Sequence, residues 1–264
     1  MDLPEELQFR DVRKQQPVIV SKESRQLLPQ NGTRFTQSDS GQTQIIFRLP
    51  NEENSSTDMS TMWIVADLSV EGLDSAVYTQ AQCNRWSTAG GKDVFVNATA
   101  NLPFLSTCDG IESAIRQVAI YVNGSELERL DYQNYLETLK NAHSNNANFS
   151  NSVGAGAMLL NIHPYEKCRM LIGDATGART SSNVVQVSFP LRWTGLANLR
   201  SLVPTYLLGG GQSAIEIRIF LETASRFLVA GTYTVAANTG FASAFVKQST
   251  PLTYVLDNVR LNYD

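Results

Sequence analysis

The chain has 264 residues, 42% of them hydrophobic, and a formal charge of −4 from 21 lysines and arginines against 25 carboxylates. That composition supports one sizeable core and excludes wholesale disorder. The acidic balance argues against an electrostatic grip on nucleic acid, which needs a basic excess.

Residues 1–40 are polar and weakly periodic, and read as an extended N-terminal arm. Their basic side chains Arg10, Arg13, Lys14, Lys22 and Arg25 are nearly cancelled by Glu5, Glu6, Asp11 and Glu23. The first residues lack an apolar signal-like core, so secretion by signal peptide is not expected. No apolar run approaches the roughly 18 residues of a membrane helix, so no membrane span is expected either.

From residue 41 onward the dominant pattern is alternation with period two, the mark of half-buried strands. Ile45, Phe47 and Leu49 share one face. Met62, Ile64, Ala66, Leu68 and Val70 follow, then the shorter candidates at Val94/Val96 and at Val118, Ile120 and Val122. Asn123-Gly124, flanked by strand-like residues, signals a hairpin turn. Later come Val185 to Trp193, Ile215 to Leu221, and a last stretch in which Val255, Val259, Leu261 and Tyr263 alternate with Leu256, Asn258, Arg260 and Asn262. Pro190 lacks a ladder donor, which places its strand at an edge or bulge. Two short helices are expected between strands. Asp109 can cap the first, with Glu112 completing a capping box. Asp131 can cap the second, where Tyr132, Tyr135, Leu136 and Leu139 recur at helical spacing. Long connections between the strands favour a Greek-key sandwich. The fold expected is therefore all-β, an eight-stranded jelly roll over residues 41–264 with two short helical insertions.

Signals for chemistry are sparse. The only histidines, His143 and His163, lie in polar or Pro-flanked segments and make no metal-ligand cluster. Cys83, Cys108 and Cys168 are widely spaced and contain no Cys-x-x-Cys pair, so no zinc or redox site is expected and a reducing compartment is. Cys168 follows His163 by five residues and reads as an incidental thiol. Glu126 and Glu128 are expected on one strand face, pointing the same way, as part of a solvated surface. Gly209-Gly210-Gly211 is not followed by the Lys-Ser/Thr of a phosphate loop, and Gly154-Ala155-Gly156 lacks the context of a dinucleotide fingerprint. No catalytic, cofactor-binding or metal-binding residue is assigned, no cofactor is expected, and the chain reads as non-enzymatic.

Several segments in order carry a family resemblance: Ile45-Ile46-Phe47-Arg48-Leu49-Pro50, then Met62 to Val70, then Asp109 to Tyr121 continuing through Gly124 and Asp131 to Tyr135. Phe189 to Leu196, Ile215 to Glu222 and Tyr254 to Leu261 complete the set. Together they resemble the first jelly roll of double-jelly-roll major capsid proteins of the polinton-like virus, adintovirus and virophage type. The resemblance implies a structural viral protein that self-assembles, as a trimer or higher oligomer, into capsomers of an icosahedral shell. It also implies a place in the virion, after assembly inside the host cell. Members of that family carry a second jelly roll, so a single-jelly-roll subunit, a split or processed product, and half of a double jelly roll all stay open. The alternative from another class is a jelly-roll binding module, lectin-like or a receptor-binding vertex or fibre protein, with Trp86, Tyr78 and Tyr165 as candidate sugar-stacking aromatics.

Overall fold

A computed structural model describes residues 22–50, 56–78, 86–89, 92–95, 102–108, 110–136, 139, 181–191, 195, 203, 215–235 and 242–264. Among them strands dominate, and every strand pairing is antiparallel.

Two sheets form the body. In the first, β1 (Arg25–Leu27), β14 (Thr253–Tyr263), β4 (Trp63–Glu71) and β10 (Val185–Pro190) lie side by side, and β2 (Phe35–Gln37) also pairs with β14. In the second the order is β3 (Gln44–Arg48), β11 (Ile215–Leu221), β8 (Ile115–Val122) and β9 (Ser125–Asp131). The chain passes from one sheet to the other between β2 and β3, β3 and β4, β4 and β8, β9 and β10, β10 and β11, and β11 and β14. Among these strands the β8–β9 hairpin and the β1–β2 connection stay within a sheet. That crossing pattern is the winding of a jelly roll. Smaller sheets are built from the long connections: β7 (Leu102–Thr107) and β13 (Ala242–Lys247) flank β12 (Leu228–Val235), and β5 (Trp86–Ala89) pairs with β6 (Lys92–Phe95).

Alternation decides which side chains meet between the sheets. Ile64, Ala66, Leu68 and Val70 of β4 are buried, as are Ile215, Ile217, Ile219 and Leu221 of β11, with Phe47 fully enclosed. Intervening residues such as Asp67, Glu216 and Arg218 face outward, as period-two sequence dictates. Asn123 and Gly124 both have positive φ (56° and 76°), the backbone of a tight two-residue hairpin. Pro190 sits at the end of the edge strand β10, where its missing N–H interrupts no interior ladder.

Four expectations are corrected. β1 and β2 lie within residues 1–40, the stretch read as an arm, yet both pair with β14. The last strand does not alternate without a break. Asp257 pairs with Asp67 and Arg260 with Val65, so one extra residue is accommodated at Asn258, whose φ is +51°. Inward positions therefore shift from Tyr254 and Leu256 to Val259, Leu261 and Tyr263, and Val255 faces the opposite side. Next, the first helix is a single 3₁₀ turn, Ile111–Ala114, with Gly110 as its cap, while Asp109 lies outside the described residues. Finally, a bulge parts Glu126 from Glu128: Tyr121 pairs with Glu126 and Ile120 with Glu128, and Leu127 is the extra residue. The two carboxylates fall on opposite faces.

The third sheet is held close to the body by Tyr78. Its buried hydroxyl donates to the Phe104 carbonyl at 2.8 Å and accepts from the Gly231 N–H at 3.0 Å. At Gly231 a Cβ would run into the Val246 carbonyl and lie 2.8 Å from the Phe245 ring, so glycine is required there. Gly231→Ala is expected to lower the unfolding free energy by about 1–3 kcal/mol, and Phe47→Ala by about 3–5 kcal/mol, in denaturant titrations. A Gly231→Ala chain as stable as the parent contradicts the close approach.

Candidate functional site

The space between the two main sheets is closed. A cavity of about 10 Å³ remains there, lined by Ile45, Ile64, Ile115, Phe189, Ile219 and other apolar side chains. It is at the lower limit for one water and offers no polar partner. This cavity has no room for a ligand, and the other hollows among the described residues lie on the outer faces.

On the outer face of the first sheet the β14 bulge opens a hollow of about 320 Å³, lined by Gln26, Asp67, Gln186, Asn258 and Arg260 among others. Within it Asn258 Nδ2 donates to Asp67 Oδ2 at 2.7 Å. On the outer face of the second sheet, the Arg218 guanidinium lies 4.1 Å from the Tyr121 ring centroid and also bridges Glu216 at 2.8 Å. The Tyr121 hydroxyl donates to Glu126 Oε2 at 2.9 Å, and this bond to a carboxylate raises the phenol's pKa. These are self-satisfied surface networks. Among the described residues no three His, Cys, Asp or Glu side chains gather to hold a metal ion. No helix among them is long and apolar enough to cross a membrane.

At one end of the sandwich a buried polar node joins several elements. Glu222, at the end of β11, has a side chain only 1% exposed. Its carboxylate accepts from Asn134 Nδ2 and from the Thr223 N–H, both at 2.9 Å. Its own N–H donates to the Ala114 carbonyl at 2.7 Å, and its carbonyl accepts from the Tyr254 hydroxyl at 2.7 Å. Arg226, on the short helix Ala224–Phe227, lies 3.9 Å from the carboxylate. Burial first, and the neighbouring Glu222 charge second, push the Tyr254 pKa well above its ordinary value.

The node has a consequence at the surface. Asn134 belongs to the helical stretch 133–136, and it and Gln133 are the buried residues there. The apolar residues point the other way: Tyr132 is 54% exposed, Tyr135 52%, Leu136 46% and Leu139 58%. With the bulged Leu127, at 59%, they make up five of the nine large hydrophobics exposed among the described residues. The residues that recur at helical spacing in the sequence face solvent. A helix that buries amides and exposes tyrosine and leucine is built inside out.

Other residues singled out in the sequence are dispersed. Tyr78, a candidate sugar-stacking aromatic, is fully buried and cannot meet a ligand. Trp86 begins β5, and Tyr165, His143, His163, Cys83 and Cys168 lie outside the described residues. Cys108 is exposed. Glu126 and Glu128 are engaged separately, the first with Tyr121 and the second with the Gly195 N–H at 2.7 Å. Glu222, the most enclosed carboxylate of the site, had no distinguishing sequence signal beyond its place at the end of an alternating strand.

Comparison with known proteins puts this geometry in context. The fold is similar to that of the Faustovirus major capsid protein, with 11% identity over 90% of this chain and 54% of that one, at a TM-score of 0.41. It is similar to the mavirus major capsid protein, with 12% identity over 98% and 51% of the two chains and a TM-score of 0.36. A chain from the Sputnik virophage structure gives 10% identity over 100% and 52%, with a TM-score of 0.40. The chain resembles viral major capsid proteins. It spans about half the length of each of these capsid-protein chains. No family model and no curated protein matches it.

Two measurements check the node. Asn134→Ala removes a buried donor to a carboxylate and is expected to lower stability by about 1–3 kcal/mol in denaturant unfolding; no loss contradicts the bond. For Tyr254 the folded pKa is raised, so its contribution is intact below the unfolded tyrosine value of about 10 and is lost as pH rises above it. Phenolate absorbance is expected to show at least one tyrosine that ionises only when the chain unfolds, and full ionisation in the folded state at ordinary tyrosine pH contradicts the burial.

Proposed function

We propose that this chain is a structural capsid subunit: an eight-stranded jelly roll that self-associates, as a trimer or higher oligomer, into the capsomers of an icosahedral shell, and that performs no catalysis. The observation that carries this reading is the pairing of a sealed interior with an apolar stripe held outside. A sandwich whose cavity accommodates no ligand, and whose anchored helix turns Tyr132, Tyr135, Leu136 and Leu139 to solvent, is shaped to meet another macromolecule. Interfaces concentrate tyrosine and other large apolar side chains in this way, surrounded by a polar rim.

The two-sheeted body suits that role physically. It is a stiff wedge, because each sheet face is pinned by the other, and connections at its ends vary without disturbing the core. The assembled chain belongs to the virion, is put together inside the host cell, and needs no cofactor and no nucleic-acid contact for its assembly.

Negative-stain imaging of the purified chain, with or without co-expressed capsid partners, is expected to show symmetric oligomers or particles. A uniformly monomeric chain with measurable affinity for sugars would overturn the reading in favour of a binding module.

A further inference from the structure

The geometry points to a binding site for an acidic sugar, a single ring with one carboxylate and several hydroxyls, on the outer face of the second sheet. This goes beyond the capsid reading and does not depend on it. A hollow of about 250 Å³ there is lined by Gln42, Arg116, Gln117, Arg129, Asp131 and Tyr132. That is just under the roughly 300 Å³ at which pockets for drug-sized ligands begin, so it suits one ring.

A β-bulge builds its floor. Gln117 pairs with Phe220 of β11 and Ile115 with Leu221, so Arg116 is the extra residue of β8. Ile115 and Val118 are buried, while Arg116 and Gln117 are both half-buried and both line the hollow. β9 supplies the next wall, where Asp131 lies opposite Gln117 and Arg129 Nε donates to Asp131 Oδ1 at 3.0 Å. Gln42 comes from the other flank of β11, where the Leu221 N–H donates to the Thr43 carbonyl at 2.9 Å. Tyr132 closes the rim with a φ of +58° and a ring 54% exposed.

The charges decide what enters. Nearby on this face Arg218 is matched by Glu216 at 2.8 Å, and Glu126 by the Tyr121 hydroxyl at 2.9 Å. Among the described residues, Arg116 has no ion pair, and the Gln42 and Gln117 side chains have no hydrogen bond. Two guanidinium groups against one carboxylate leave a single positive excess in the hollow, although the chain as a whole carries −4. A guanidinium gains most from a planar carboxylate that fits its fork. One carboxylate cancels the excess, whereas a phosphate dianion would add a charge facing Asp131. Asp131 accepts hydrogen bonds, and the two glutamine amides both donate and accept, which serves hydroxyl groups. The Tyr132 ring offers an apolar face for the C–H side of a sugar. A plain carboxylic acid would use Arg116 and leave the rest of the lining without a role.

Saturation-transfer NMR of the full chain tests this with three probes. They are methyl glucuronide, methyl glucoside (a hydroxymethyl in place of the carboxylate) and acetate (the carboxylate without the ring). The glucuronide is expected to bind roughly tenfold or more tightly than either of the others. Arg116→Gln is expected to bring the glucuronide down to the level of the glucoside and to leave the glucoside unchanged. Tyr132→Gly suits the positive φ, so it preserves the fold, and is expected to weaken both sugars roughly threefold or more. Thermal unfolding checks that both variants stay folded. Equal binding of glucuronide and glucoside, equal binding of glucuronide and acetate, or undiminished glucuronide binding by Arg116→Gln overturns the inference. So does inorganic phosphate bound more tightly than the glucuronide. Light scattering on the same samples separates this site from assembly. Particles that ignore the glucuronide overturn the inference alone, and a monomer that binds it overturns the capsid reading alone.

Discussion

The structure depends on one constraint: two antiparallel sheets must exclude water from the space between them. β4 and β14 supply the centre of one wall, β11 and β8 the centre of the other, and alternation places every second side chain in the shared layer. Leu49, Phe47, Leu68 and Ile217 are fully buried there, and the cavity lined by Ile45, Ile64 and Ile219 has about 10 Å³. Close packing of this kind stabilises the sandwich, and the connections at its ends join the two sheets.

Those connections are not slack. Glu222 gathers the start of β8, the stretch after β9, the helix Ala224–Phe227 and the first turn of β14 into one polar node, and Phe227 stacks edge-on against Tyr254 at 4.7 Å beside it. A buried carboxylate is tolerated only where donors converge on it, and that convergence fixes the orientation of everything attached. The outward aim of Tyr132, Tyr135, Leu136 and Leu139 follows directly. A buried hydrogen bond in the body thus sets the character of a surface patch, which links packing to association.

Much of the fold was legible in the sequence because period two is hard to disguise. The stretches around Ile45, Ile64, Val118, Val187 and Ile217 became β3, β4, β8, β10 and β11, and Asn123-Gly124 made the turn it signals. Bulges were not legible. A single extra residue at Asn258 or Leu127 reverses every later side chain, and nothing in local composition announces it. β1 and β2 escaped because three-residue strands carry no periodicity, and their pairing with β14 spans more than 200 residues of sequence. The surface stripe was visible as a helical repeat, but which way it faces was not. Only the position of Glu222, 88 residues from Asn134, decides which face turns inward.

Sedimentation velocity of the full chain over a hundredfold range of concentration tests the central claim most directly. The account predicts a boundary that moves from the mass of one chain, 29.1 kDa, to a discrete larger species as concentration rises. A single species of one-chain mass throughout would contradict it.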